Sequence, residues 1–241
     1  MDDTDTGAAS LGTTIVGIVA HGDTNREGEP TNDTADADGG DRDEHAGDSG
    51  DHGDRGNAVV LASDRRASLG RMVSSKDARK VHPIGDAAAL AFTGSVSGAQ
   101  ALVADLDAER RLYELRRGTE MSTTALAGYA ATAMRKQRYG VQHLLGGVDG
   151  DGAHLYTFDG GGSVLEQPYA ADGSGGQFAY GTLEDGYREG VGVADAETLA
   201  ARAVAAASER DTASGNGLHL VTITDDGVEE AVYDDPAAVA A

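Results

Sequence analysis

Thr13 stands in the run Leu11-Gly12-Thr13-Thr14-Ile15-Val16-Gly17-Ile18-Val19-Ala20, where a hydroxyl residue follows a glycine and opens a β-branched strand. A cut after Gly12 would leave Thr13 with both a hydroxyl nucleophile and a free α-amine close enough to take its proton, so one residue would supply attacker and base. An α-amine titrates near pH ~8 in model peptides, which puts a usable base close to neutrality. The uncut amide nitrogen has no such basicity. A Gly-Thr-Thr at a strand start is ordinarily only a strand start, so the supporting groups must come from the rest of the chain.

The totals restrict what that rest can be. At 241 residues the chain fits one domain with a substantial core. The absence of cysteine excludes disulfides, thiolate zinc sites and a cysteine nucleophile, and suits a reducing cytosol. Residues 1–12 carry Asp2, Asp3 and Asp5 without an apolar core, unlike a secretory signal, and no apolar run approaches a membrane span. These features point to a soluble, cytoplasmic protein with no membrane association. The formal charge is −22, of which residues 21–56 contribute −9 through twelve acids and three arginines. Lysine occurs at Lys76, Lys80 and Lys136. Such an acid-rich, lysine-poor surface is tolerable where salt screens it, as in a halophile's cytoplasm, and it disfavours nucleic acid as a partner.

Strand patterning covers residues 14–20 and 57–63 and is interrupted between them by a polar, aperiodic stretch that reads as a disordered acidic insert over 21–56. If the flanking strands pair as a hairpin, Thr13 and Asp64 meet at its open end and the insert hangs from the far tip. His21, His45 and His52 lack helical metal-ligand spacing and read as part of a solvated segment, so no metal and no cofactor is expected. Short strands and turns fill 64–95. Amphipathic helices are predicted over 97–117 and 122–138, then strands over 141–148, 153–158 and 164–169. Asp149-Gly150-Asp151-Gly152 resembles the start of a calcium loop but lacks its further ligands, and reads as a hairpin turn. Helices follow over 174–187 and, with Asp195 as N-cap, to Glu209; strands over 218–224 and 228–233 precede an Ala-rich tail expected to fray. The order of strands, two helices, strands, two helices, strands predicts an α/β four-layer αββα sandwich.

Gly12-Thr13-Thr14, Asp64-Arg65-Arg66, Lys80, the Gly94 turn, Gly173-Ser174-Gly175 and Arg210-Asp211-Thr212-Ala213-Ser214-Gly215 together resemble an archaeal 20S proteasome β subunit of the haloarchaeal type. The resemblance spans the chain apart from residues 21–56 and the last few. It implies an N-terminal-nucleophile hydrolase fold and threonine peptidase activity, with residues 1–12 a propeptide lost by autocatalytic cleavage between Gly12 and Thr13. Carried over by position, Thr13 is the nucleophile, Lys80 a cation lowering the pKa of its hydroxyl and amine, and Asp64 the group holding Lys80. Ser174, Asp211 and Ser214 orient the Thr13 amine, and the Gly94 N–H donates to the oxyanion. Ala67, Ser68, Ala78, Phe92 and Val96 match positions lining the pocket for the side chain before the scissile bond, implying cleavage after hydrophobic residues. The implied partners are proteasome α subunits, other β subunits in heptameric rings of an α7β7β7α7 core, a regulatory ATPase and unfolded polypeptide.

The chain departs from that pattern at Ser97-Gly98, where the family has Gly-Asp, at Asp172, where it has Thr, and at Gly176, where it has Ser. These changes bear on substrate contacts, and a carboxylate at 172 is able to raise the pKa of a nearby amine. Two other readings stand beside the peptidase: a structural β-type subunit that is never processed, and an amidohydrolase of the same fold acting on small amides. Intact Thr13, Asp64, Lys80 and Asp211 argue against the first, and the Asp211–Gly215 motif against the second.

Overall fold

The computed structural model describes residues 10–21, 57–69, 72–137 and 139–240. In chain order the elements are β1 (Ser10–Leu11), β2 (Ile15–Ala20), β3 (Ala58–Asp64), β4 (Ala67–Leu69), β5 (Met72–Ser75), β6 (Val81–Ile84), β7 (Ala88–Ser95), α1 (Val96–Arg117), α2 (Thr123–Lys136), β8 (Val141–Asp149) and β9 (Gly152–Phe158). They continue with β10 (Val164–Glu166), β11 (Tyr169–Asp172), α3 (Gly176–Gly186), α4 (Val193–Ser208), β12 (Leu218–Thr224) and β13 (Gly227–Tyr233). The acidic stretch over 22–56 lies outside the described residues; its first predicted residue, His21, lies within them and exchanges backbone hydrogen bonds with Val191 and Val193.

One sheet has the order β1-β7-β8-β9-β10, with β6 also on β7, and the other β11-β2-β3-β12-β13. Strand alternation sends one face of each sheet inward, where Ile15, Leu61, Val81, Leu144, Leu155 and Val221 form the core between them. The opposite face of the first sheet buries Leu90, Phe92 and Leu145 against α1 and α2. That of the second buries Val16, Ile18 and Val60 against α3 and α4. This is the αββα sandwich that the patterning predicts. The β2–β3 hairpin pairs Ile15 with Ser63 and Ala20 with Ala58, so its open end brings the residues before Ile15 beside Asp64.

Some boundaries differ from their sequence reading for identifiable reasons. The predicted strand over 164–169 is two strands in different sheets, because the chain crosses between sheets at Gln167-Pro168. Gln167 N–H still donates to Leu155 of the first sheet, whereas Pro168, with no N–H to give, accepts through its carbonyl from Val19 of the second. Helix α4 is capped three residues early, at Gly192, which leaves Asp195 in the first turn, where its charge favours the helix dipole without capping it. Ser95 caps α1, its hydroxyl accepting from Gly98 N–H at 3.2 Å. The predicted fraying tail forms a 3-10 turn over Pro236–Ala240, and Val239 packs on the α3–α4 core.

His143 is a foreign body in the α1–α2 core. It is fully buried, stacks on Phe158 at 4.1 Å between ring centroids, and neither ring nitrogen has a hydrogen-bond partner among the described residues. Burial holds its pKa down to about 3. The unfolded chain takes up this proton near pH ~6.5 and the folded chain does not, so the stability lost grows as pH falls from there toward the folded value. At pH 5 the loss amounts to roughly 2 kcal/mol. Chemical denaturation at pH 7 and pH 5 should show this slope in the native chain and a shallower one in His143→Leu; equal slopes would count against it.

Candidate active site

Asp64, the last residue of β3, organises the open end of the hairpin. It is fully buried and both carboxylate oxygens are saturated. Oδ1 accepts from Thr13 Oγ1 at 2.8 Å, Thr14 N at 3.0 Å and Lys80 Nζ at 2.7 Å. Oδ2 accepts from Arg66 N at 3.0 Å and Gly215 N at 2.9 Å. Five donors around a desolvated carboxylate are what make its charge tolerable there.

Lys80 lies just before β6, its carbonyl taking the Phe92 N–H at 2.9 Å. Its side chain is fully buried with Nζ between Asp64 and the Thr13 hydroxyl, to which it donates. Burial pushes its pKa below the ordinary lysine value, opposed by the charge and hydrogen bond of Asp64. The hydroxyl of Thr13 thus donates to a carboxylate and accepts from an ammonium whose proton burial has loosened.

Ser174, Asp211 and Ser214 gather on the other side of Thr13. The Thr13 N–H donates to Ser174 Oγ at 3.0 Å. Ser174 and Ser214 each donate to Asp211 Oδ2 at 2.6 Å, and Ser214 Oγ lies 2.8 Å from Thr14 Oγ1. Approach is close: a Cβ on Gly173 would sit 2.1 Å from the Thr13 carbonyl oxygen. The preceding Asp172 accepts from Gly173 N at 2.6 Å and has its pKa raised by burial.

Gly94 lies on β7 opposite Leu11 of the short strand β1, and Ser95 pairs with Ser10. Residues 10–11 therefore approach the cluster as an added strand, with Gly12 making the turn into Thr13. Ala67, Ala78, Phe92 and Val96 belong to one apolar cluster; Ser68 is buried beside Ala67 on β4.

Sequence reasoning missed four contributors. Thr14 adds a second hydroxyl to the Ser214 side. Arg66 fastens the loop over 211–217, donating to the Thr212 carbonyl at 2.8 Å and to Asn216 Oδ1 at 2.9 Å. Asn216, the one described non-glycine residue with a positive φ, at 68°, turns that loop back. His82 stacks on Phe92 at 5.7 Å. Asp64-Arg65-Arg66 and Gly215-Asn216-Gly217 stand out in the sequence, but nothing local joins them.

The αββα sandwich, with a threonine hydroxyl held by a buried lysine–aspartate pair just before β2, has the layered architecture of the N-terminal-nucleophile hydrolase fold. A proteasome subunit family profile matches residues 55–223. The chain is 45% identical over 207 residues to a proteasome subunit beta of Haloquadratum walsbyi, covering 86% of this chain and 85% of that one. It is 46% identical over 191 residues to that of Haloferax volcanii, with 79% of each covered. For Halorhabdus utahensis the identity is 50% over 181 residues, covering 74% and 77%. The chain belongs to the proteasome subunit family, with the β subunits of halophilic archaea.

Removing the Asp64 charge leaves Lys80 buried against a neutral amide. Asp64→Asn should lower the unfolding free energy by about 3 kcal/mol. A denaturation midpoint unchanged from the native chain would show that the pair holds nothing together.

Proposed function

We propose that this chain is a catalytic β subunit of the 20S core particle: a threonine endopeptidase that matures by cutting between Gly12 and Thr13 and then hydrolyses unfolded polypeptide, preferentially after hydrophobic residues. The observation that carries this reading is the seating of Thr13 Oγ1 between Lys80 Nζ and Asp64 Oδ1, all fully buried. A lysine and an aspartate desolvated around one hydroxyl are costly as scaffolding and useful as chemistry. The apolar cluster of Ala67, Ala78, Phe92 and Val96 supports the hydrophobic preference. The β-subunit relatives support assembly with α subunits, in the stacked heptameric rings and with the ATPase that the resemblance implies. Among the described residues no helix is long and apolar enough to cross a membrane, and the cytoplasm is the proposed location.

Before maturation the Thr13 nitrogen is an amide and cannot act as base. Two acceptors lie within reach of Thr13 Oγ1: the Asp64 carboxylate, which takes its hydrogen bond, and Lys80 in its neutral form, the stronger base, which burial makes accessible. The oxygen attacks the Gly12 carbonyl carbon, the bond from that carbon to the Thr13 nitrogen breaks, and the nitrogen takes the proton. Water then hydrolyses the resulting ester, releasing residues 1–12. In the mature subunit the freed amine, beside Ser174, serves as base for the same oxygen, and the Lys80 charge keeps that amine unprotonated.

Lys80→Arg keeps a positive charge but spreads it over a plane whose fork engages Asp64 bidentately. The variant should retain residues 1–12 by mass and lose peptide hydrolysis by about 10²–10⁴-fold in the assembled particle. Correct trimming with near-native hydrolysis would sink the assignment of Lys80.

Gly12 is held to glycine by its neighbours: a Cβ there would lie 2.2 Å from the Cβ of Ala213, an atom that cannot move without its backbone. Gly12→Ala should therefore slow the cut, and adding Ala213→Gly should restore it. Time courses of subunit mass test this, and an equally slow double variant would place the obstruction elsewhere.

A further inference from the structure

The Asp172 carboxylate has no part in the catalytic cluster. One oxygen accepts from Gly173 N–H, and no lysine, arginine or histidine is ion-paired with it among the described residues. It lines a cavity of about 430 Å³ between β8–β9 of one sheet and β11–α3 of the other. No basic residue lines that cavity, while a second carboxylate, Asp159, does. Asp159 accepts from Gly161 and Ser163 N–H, which holds its pKa low and keeps it charged. Leu144, Phe158 and Ala171 supply an apolar wall.

The cavity adjoins the reacting groups on two sides. Asp172 precedes Gly173, whose backbone presses against the Thr13 carbonyl. Gln142, on the facing wall, pairs in register with Thr93, the residue before Gly94. Gln142 also lines a larger cavity of about 690 Å³ that contains Gly94 and Arg135. The two cavities meet at Gln142 and together form a trough, with Gly94 in one part and Asp172 in the other.

Its direction is set by the leader. Ser10–Leu11 occupy the N-terminal side of the Gly12–Thr13 bond and lie on one flank of β7, while β8 lies on the other. A polypeptide that presents its N-terminal side in the leader's lane leaves the cavities on the β8 side, which meet at Gln142, to the segment beyond the bond. We propose that the Asp172 cavity is a subsite for a lysine or arginine side chain within the first three residues on the C-terminal side of the scissile bond. The aliphatic stem lies on Leu165 and Tyr180, which line the cavity and keep accessible surface, and the cation meets Asp172, with Asp159 adding to the field. Partial burial keeps this pairing effective where salt screens exposed charges. The first cavity carries Arg135, so the preference belongs further along the trough than the residue over Gly94.

This inference rests on Thr13 being the nucleophile. The test uses assembled particles and internally quenched peptides with one hydrophobic residue before the bond, and lysine, norleucine or glutamate scanned through the three positions after it. At one of those positions native particles should show kcat/KM about tenfold higher for lysine than for norleucine. Asp172→Asn should bring that ratio to about one, and Asp172→Lys should make glutamate the favoured residue. Native particles that cleave all peptides without regard to charge, or a ratio that survives in Asp172→Asn, would overturn the subsite while leaving the nucleophile intact. Native particles that cleave none would overturn the nucleophile and the subsite together.

Discussion

The structure depends on a buried ionic contact between Asp64 and Lys80. Two desolvated charges in a core are a liability unless every lone pair and proton is used, and here the carboxylate takes five donors from four separate segments. Those donors come from the start of β2, the end of β3, the approach to β6 and the loop before β12. The requirement to satisfy one anion thus ties together segments distant in sequence and leaves the Thr13 hydroxyl no position other than between the two charges. Stability and chemistry share the same atoms.

The two sheets make that arrangement rigid. Thr13 and Asp64 end neighbouring strands of one sheet, whereas Lys80 leads into β6 at the flank of the other. The inter-sheet core, with Ile15, Leu61 and Val81 each in the same cluster, sets the spacing between Thr13 and Lys80. Close-packed interiors resist small displacements, so a side-chain site built across such a core inherits its precision. The loop over 211–217 is held by Arg66, by the Gly215 N–H on Asp64 and by the turn at Asn216. Its hydroxyls and Asp211 therefore depend in part on an arginine whose side chain lies outside the Thr13 cluster.

The leader and the trough give the site two open sides. β1 is a strand of two residues that extends a sheet edge beside β6, so little pairing holds it there. On the other flank of β7 the trough is lined by strands β8, β9 and β11 and by single turns of α2 and α3, which leaves its chemistry to a few side chains such as Gln142, Arg135 and Asp172.

Residue type and periodicity determined the layer order from sequence alone: β2 and β3 read as strands because they are short apolar, β-branched runs, buried on both faces, and α1 and α2 read as helices by their apolar stripes. The hairpin turn at Asp149–Gly152 was legible for the same local reason. The candidate groups around Thr13 could be named because their order along the chain resembles a family, not because anything between Asp64 and Asp211 makes them neighbours. Only the tertiary structure decided where 164–169 breaks, since a proline at a crossing and a proline at a strand edge look alike until the two sheets compete for the flanking hydrogen bonds. Only it recruited Thr14, Arg66, Asn216 and His82, whose contacts join positions far apart in sequence. Periodicity reports which face of an element is buried; which charges and hydroxyls meet depends on how the two sheets stack, and no local pattern encodes that distance.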